Sequence, residues 1–337
     1  MSTPTLDVDA GAPPGERVPD AVRHPLARYL ARRLGRLVAS VVVLVTAAYL
    51  MVRLLPGDPA RLSLGAEATA EQVARRRTEL GLDESILTQY ARFWADLFQG
   101  DLGLSYSKRL PVSEVIAQRM PATLELSLLA IVVILVVGVP LGMFAAEAVR
   151  GGRNKAFDAV FSAVTGFVTV VPVFVVAAVL ILVLSVNARL LPVAGQSGPD
   201  SYVLPVAALA FGAVCALARI VRAATLTVLD TDYVRTARAK RMSRTRLYLR
   251  HVLPNLLAPT LTTAGLVLGS LVAGSVFVET VFAWPGIGQV VVGSITQRDY
   301  PLVQGIVLVY GALILVVNLV VDLLIGLFDP RSRIATV

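Results

Sequence analysis

The chain is short of charge. Only 16% of its 337 residues are Asp, Glu, Lys or Arg, against 56% hydrophobic, and the mean hydropathy is +0.72. That balance excludes a soluble globular domain. There is one cysteine, Cys215, inside an apolar run, which excludes a disulfide framework and a thiolate metal cluster and leaves a small packing residue. The two histidines are His24 and His251, so a His-based metal site or triad would have to be built from that pair alone. No Gly, four residues, Gly-Lys-Ser/Thr pattern occurs, so the chain does not hydrolyse nucleotide by a P-loop. GIGQVVVG at 286–293 is not a dinucleotide fingerprint, because its third glycine is misplaced and no strand precedes it. No set of acids or histidines falls at catalytic spacing on one helix face, which argues against a membrane-embedded enzyme.

What the chain has is length of apolar run. About 20 helical residues cross a bilayer, and six runs meet that measure: 34–55, 122–146, 156–186 with Pro172 inside it, 202–229, 256–284 and 302–328. Each is too long and too evenly apolar for a barrel strand. The expectation is an all-α, polytopic membrane protein with six transmembrane helices. Arg and Lys then orient it: with the N-terminus in the cytosol, the inner segments 1–36, 147–157, 219–250 and 331–333 carry 20, while the short outer segments 187–202 and 283–301 carry 2. Both termini are therefore expected in the cytosol. The net charge of +8 is mostly this topology signal rather than a sign of nucleic-acid binding.

Residues 1–22 are rich in Pro, Gly and acids without apolar period, and read as a disordered cytosolic tail. A basic arm and the first span follow at 23–55, a retained anchor rather than a cleaved signal. The outer loop region, 56–118, is organised. Thr69-Ala-Glu-Gln72 has the form of a capping box and Gly81 a place to end its helix. Asp83 is a plausible cap for a second helix, with Ile86, Tyr90, Phe93, Trp94 and Leu97 on one face and Gly100 as its stop. That stripe reads as packing against the bundle or the membrane surface before direct partner contact. The remainder, 119–333, is a five-helix core. Of its intramembrane acids, Glu125 and Asp322 suit bonds to neighbouring helices, and Glu279 is a candidate for lining a translocation path or for a structural salt bridge.

The segment 233–255, YVRTARAKRMSRTRLYLRHVLPN, carries seven Arg or Lys, one His and no acid between two apolar runs. Asp232 is placed to cap a short helix from Tyr233 to about Lys240, and Ser243 to cap a second that ends at Pro254 and passes into the fifth span. Topology and anionic lipid account for the charge. They do not account for Ala and Thr interleaved with it in two capped helices, which suit docking to a cytosolic partner.

This segment resembles the cytoplasmic "EAA" loop of binding-protein-dependent ABC importers, usually Glu-Ala-Ala, three residues, Gly, nine residues, Ile-x-Leu-Pro. Those positions fall on Arg235, Thr236 and Ala237, on Arg241, and on His251, Val252, Leu253 and Pro254. RTARAK followed by HVLPN is similar to the dipeptide and oligopeptide branch, as are LPGDPA (55–60), GDLGLSY (100–106), RMPATLEL (119–126), ETVFAWPGIGQ (279–289), RDYPLVQG (298–305), and NLVVDLL with DPRSR near the end. The resemblance covers about 28–333. Arg241 departs from it, since the glycine there normally ends the first short helix and a non-glycine residue at positive φ costs on the order of 1 kcal/mol.

The resemblance implies a type I ABC importer permease in a bacterial cytoplasmic membrane, moving peptides by alternating access. It implies a second homologous permease in a heterodimer, two cytosolic ATPases that hold ATP and Mg, an extracytoplasmic binding protein, and surrounding membrane lipid, with no cofactor and no catalytic residue on this chain. The ATPase-docking residues would be Tyr233, Val234, Arg235, Thr236, Ala237, Arg238, Ala239, Lys240, Arg241, Met242 and His251 within the loop 230–255. Asp101, Trp284, Arg298, Asp299 and Tyr300 would meet the binding protein. Import of nickel or another small solute is the alternative within the family, and ATP-independent secondary transport the alternative outside it.

Overall fold

Apolar runs of this length fold as helices because lipid offers no partner for an open backbone N–H or C=O. The computed structural model describes residues 25–54, 57–65 and 67–328, and among them no strand occurs. The expected tail at 1–22 and the DPRSR segment lie outside the described residues. Five helices are long and apolar enough to span: α1 (Pro25–Leu54), α5 (Val112–Val149), α8 (Val203–Leu229), α11 (Leu253–Val281) and α13 (Tyr300–Phe328). The third expected span is not one straight helix. It is α6 (Lys155–Val170) followed by α7 (Val173–Leu180), which continues as a π-turn to Asn187, and the two parts bend by 96° at Pro172. Pro172 forces this, since it lacks an N–H and biases the preceding residue to extended backbone, and Val171 has φ −65°, ψ 123°.

The second run begins ten residues earlier than hydropathy suggests, so the 118/119 boundary falls inside α5. α5 and α8 make the most extensive helix pair. Gly138 and Gly142 are the reason: a Cβ at Gly142 would stand 2.6 Å from the Ala218 carbonyl oxygen, and one at Gly138 3.1 Å from Leu217. Small residues four apart let two helix backbones approach closely. Gly265 does the same more gently for α11 against α13, with Val321 at 3.0 Å. Polar ties join neighbours across the bundle: Arg33 pairs with Asp322 between α1 and α13, Arg222 with Asp158 between α8 and α6, and the Tyr202 hydroxyl donates to Glu125 at 2.9 Å.

One end of the bundle carries α2 (Pro59–Leu64), α3 (Ala70–Glu79) and α4 (Ile86–Phe98). Asp58 caps α2 and Pro59 opens it, which gives LPGDPA a structural meaning. The capping box at Thr69 and Gln72 is present, and Gly81 (φ 65°) and Gly100 (φ 76°) close α3 and α4. Each closure is a Schellman pair, with Leu82 N–H on Arg77 O and Asp101 N–H on Asp96 O. Ser85, not Asp83, caps α4, because its hydroxyl reaches Thr88 N–H, while Asp83 pairs with Arg77. The stripe on α4 packs against α1: Tyr49 meets Tyr90 at 5.1 Å and Phe93 at 5.5 Å, and Val45, Ala48 and Leu308 bury beneath Phe93, Trp94 and Leu97.

Candidate functional site

The opposite end carries the basic segment. α9 (Asp232–Ala239) starts one residue earlier than expected, with Thr231 in the capping position and Asp232 in the first turn, 3.6 Å from Arg235. Its charge there favours the positive helix end. Lys240 closes the helix, and Arg241 stands in the left-handed region at φ 54°. Met242 N–H bonds Ala237 O and Arg241 N–H bonds Arg238 O, so the glycine-type Schellman turn forms with arginine in the glycine's place. α10 (Arg244–Leu247) follows Ser243. It leads on into the fifth span, as expected. The chain passes through a π-turn, Tyr248–Val252, straight into α11, the wider turn accommodating a residue with no N–H to donate.

Val234, Ala237 and Leu247 are buried and join the main core of the bundle, so the helix pair is fastened from one side. Tyr248 adds a polar tie, donating its hydroxyl to Glu147 at the end of α5 at 2.7 Å. Burial first, and then that hydrogen bond, push the Tyr248 hydroxyl above its usual range, so it stays protonated and donates. The outward face keeps Tyr233, Arg235, Thr236, Ala239, Lys240 and Arg241 exposed, with Met242 and His251 half-buried at the edges. Arg238 is half-buried, and its Nη1 is enclosed with no hydrogen-bond partner among the described residues. An enclosed guanidinium nitrogen without an acceptor is costly and needs one from elsewhere.

At the α2–α4 end, residues 279–300 form a corner rather than an open surface. α11 closes on Ala283 (φ 48°), and α12 (Ile287–Thr296) closes on Arg298 (φ 55°), two more non-glycine residues in Schellman turns. Trp284 is fully buried, donating its indole N–H to Ala122 O at 3.0 Å and meeting the Tyr202 ring edge-on at 4.7 Å. Glu279 is also fully buried. Its Oε2 accepts the Gly288 N–H at 2.6 Å near the start of α12, and no cation pairs with it among the described residues. Gly286 and Gly288 make room for it, since a Cβ would lie 2.3 Å and 2.8 Å from Oε2. The PGIG glycines serve this close approach, so Glu279, expected either on a translocation path or in a salt bridge, is enclosed at the corner and held by a backbone N–H, with no cation beside it among the described residues.

Asp299 is fully buried as well. It accepts from Ser105 Oγ at 2.6 Å, Ser107 Oγ at 2.7 Å, Ser107 N–H at 2.9 Å and Tyr106 N–H at 3.1 Å. Burial alone would raise its carboxyl, but these hydrogen bonds hold it below the usual carboxylate range. Tyr300 is buried beside it. Of the five residues expected against the binding protein, Trp284, Asp299 and Tyr300 are therefore interior, because their side chains fasten the corner, and Asp101 and Arg298 are exposed. Ser105, Ser107, Thr123 and Glu147 escaped the sequence reading. Their partners lie far along the chain.

The break at Pro172 borders a cavity of about 260 Å³ between α6, α7, α8 and α11, walled by Thr169, Val173, Gly212, Ala216, Ser270 and Gly274 among others. Irregular backbone at membrane depth persists where protein or a water-lined cavity covers it. A multi-span bundle with a pair of short helices rooted in its core at one end and a fastened corner at the other is the frame of a membrane permease subunit.

The comparisons give the family. Residues 138–334 match the family described as "Binding-protein-dependent transport system inner membrane component", and 26–127 match its N-terminal counterpart, so the chain belongs to that family. The glutathione transport system permease protein GsiC of Salmonella paratyphi A is 38% identical over 310 residues, covering 91% of this chain and 99% of that protein. Its counterpart in Escherichia coli K12 is 37% identical over 308 residues, with the same coverage. Two inward-facing crystal structures of the MetNI methionine ABC transporter share the fold, at 21% identity with TM-score 0.54 and at 20% with 0.51; each covers 64% of this chain and 96% of theirs. The chain is thus a multi-pass inner-membrane permease subunit of a bacterial ATP-driven importer, not an enzyme, and the ATPase activity of such importers lies on partner chains. The family works with ATPase subunits, a substrate-binding partner and a second permease.

Proposed function

We propose that this chain moves di- or oligopeptides across the cytoplasmic membrane, paired with a second, homologous permease, two cytosolic ATPases that bind ATP and Mg, and an extracytoplasmic binding protein. Its termini and the 230–255 loop face the cytosol, and α2–α4 face outward. The observation that carries the reading is the helix pair α9–α10. It is rooted in the bundle core by Val234, Ala237 and Leu247 while it presents Arg235, Lys240 and Arg241 outward, and it encloses an unpartnered Arg238 Nη1.

A partner groove bearing carboxylates supplies the missing acceptor, so the ATPase groove is acidic where it meets Arg238. Closure of the ATPases then pulls α9, and the rigid links to α5, α8 and α11 carry that motion into the bundle. Full-length similarity to permeases named for glutathione supports a peptide-like solute. The test is uptake of a labelled dipeptide by the reconstituted complex in proteoliposomes. Uptake should need both ATP and the binding protein, and uptake indifferent to ATP would sink the proposal.

A further inference from the structure

A cavity of about 690 Å³ lies where the end of α1 meets α2–α4 and the 101–106 turn. That volume is in the range of sites that enclose small organic ligands, roughly 300–1,000 Å³. Its wall combines apolar surface from Tyr49, Phe93 and Leu102 with charge of both signs. Some of that charge is spent within the fold, as Arg77 pairs with Asp58 and Arg92 with Glu84.

Three charges are left over. Arg53 has no carboxylate partner among the described residues; its guanidinium rests 4.5 Å over the Tyr49 ring and bonds the Gln89 amide oxygen. Asp96, half-buried, has neither an ion pair nor a side-chain hydrogen bond among the described residues, and Asp101 accepts only the Gly103 N–H. The Tyr106 hydroxyl also lines the cavity. Burial, and then the nearby Asp299 charge, push it up to about 12, which keeps it a neutral donor.

A ligand that satisfies this wall is small, carries one cationic and one anionic end, and has a body that tolerates aromatic contact. A free peptide has that constitution, with an α-ammonium for Asp96 and Asp101 and a carboxylate for Arg53. We propose that this cavity is a holding site for the zwitterionic peptide itself, between the binding protein and the spanning helices. The inference rests on the peptide-import reading above. It adds that the permease binds substrate outside its spanning core, and that both peptide termini must be free.

The experiment uses the assembled transporter in nanodiscs without the binding protein, with glutathione and dialanine as probes in calorimetric titrations. Saturable binding is expected. It should weaken about tenfold or more in Arg53→Ala and in Asp96→Asn, and for dialanine acetylated at its amine or amidated at its carboxylate. Arg53→Lys should stay within about threefold of the parent, which separates loss of charge from loss of fold. Absence of saturable binding overturns the proposal, and so does binding that the variants leave unchanged. Variants that bind peptide normally but no longer hold the purified binding protein would make the cavity a protein socket and overturn it equally. Dipeptide uptake by the complete parent system is measured alongside. Uptake without cavity binding removes this inference alone, whereas absent uptake removes the import reading and leaves the titrations to decide the cavity.

Discussion

Replacing Asp299 with alanine should loosen its corner of the bundle more than any exposed substitution near it. The carboxylate is fully buried and joins the start of α13 to the 101–111 turn by accepting two hydroxyls and two backbone N–H groups. Ser107 is exposed and can turn its donors to water, but Ser105 is buried and Tyr106 half-buried. Counting about 1–2 kcal/mol for each stranded donor, and something for the Leu302 N–H at 3.4 Å, the loss is about 3–4 kcal/mol. In a chain of this size that lowers the melting temperature by roughly 4–6 °C. Asp299→Asn keeps one acceptor oxygen and should fall between.

The pH dependence has a definite sign. A carboxyl held below its usual range stabilises the fold above the unfolded value near about 4, and that contribution is lost as pH falls through the folded value. The parent should therefore melt alike between about pH 5 and 8 and weaken below that window, while the Asn variant shows a shallower acid limb. Thermal melts of the purified protein in detergent measure both effects. An Ala variant that melts within about 1 °C of the parent would refute the assignment of Asp299 as the corner's fastening.

Arg241→Gly relieves a left-handed arginine, a gain of about 1–2 kcal/mol reduced by glycine's larger unfolded-state entropy to roughly 0.5–1 kcal/mol. Hydrogen exchange at the Met242 amide should slow about two- to fivefold, and an unchanged rate counts against the strained turn. Gly142→Ala should destabilise by about 1–3 kcal/mol through its clash with Ala218 and Val221, whereas Gly293→Ala, with nothing within 4 Å of its Cβ, should be neutral or stabilising. Equal melting temperatures for the two variants would contradict the close α5–α8 approach. Tyr248→Phe removes the bond to Glu147 and should cost about 1–2 kcal/mol at the root of α9 and α10. Limited proteolysis between 233 and 250 should quicken, and an unaltered digestion pattern speaks against that tie.

Much of this architecture was legible because the bilayer imposes a single rule on long apolar runs. The capping box at Thr69, the stops at Gly81 and Gly100 and the face of α4 were readable because each depends on neighbours within one or two turns. The two short helices of the 233–255 segment were readable for the same reason, down to the turn at Arg241, with Asp232 misplaced by one position. The 96° bend was not read from Pro172, since a proline in a span is consistent with a mild kink as well as a break. Asp299 and Trp284 looked like surface groups because their partners, Ser105 and Ala122, lie more than 160 residues away. Ala283 and Arg298 escaped notice in left-handed turns because glycine is the signal for that turn and neither position has it.

The central claim is that α9 and α10 dock a cytosolic ATPase through their positive face. The direct measurement is ATP hydrolysis by the chain co-purified with its neighbouring gene products, compared with a variant carrying Arg238→Glu and Lys240→Glu. The account predicts that ATPase chains co-purify with the parent and are lost or uncoupled from transport in the variant, with restoration when acidic residues of the partner groove are reversed in turn. Should no nucleotide-binding chain associate, or should the variant hydrolyse ATP and transport as the parent does, the basic segment is only a topology signal and the docking account is wrong.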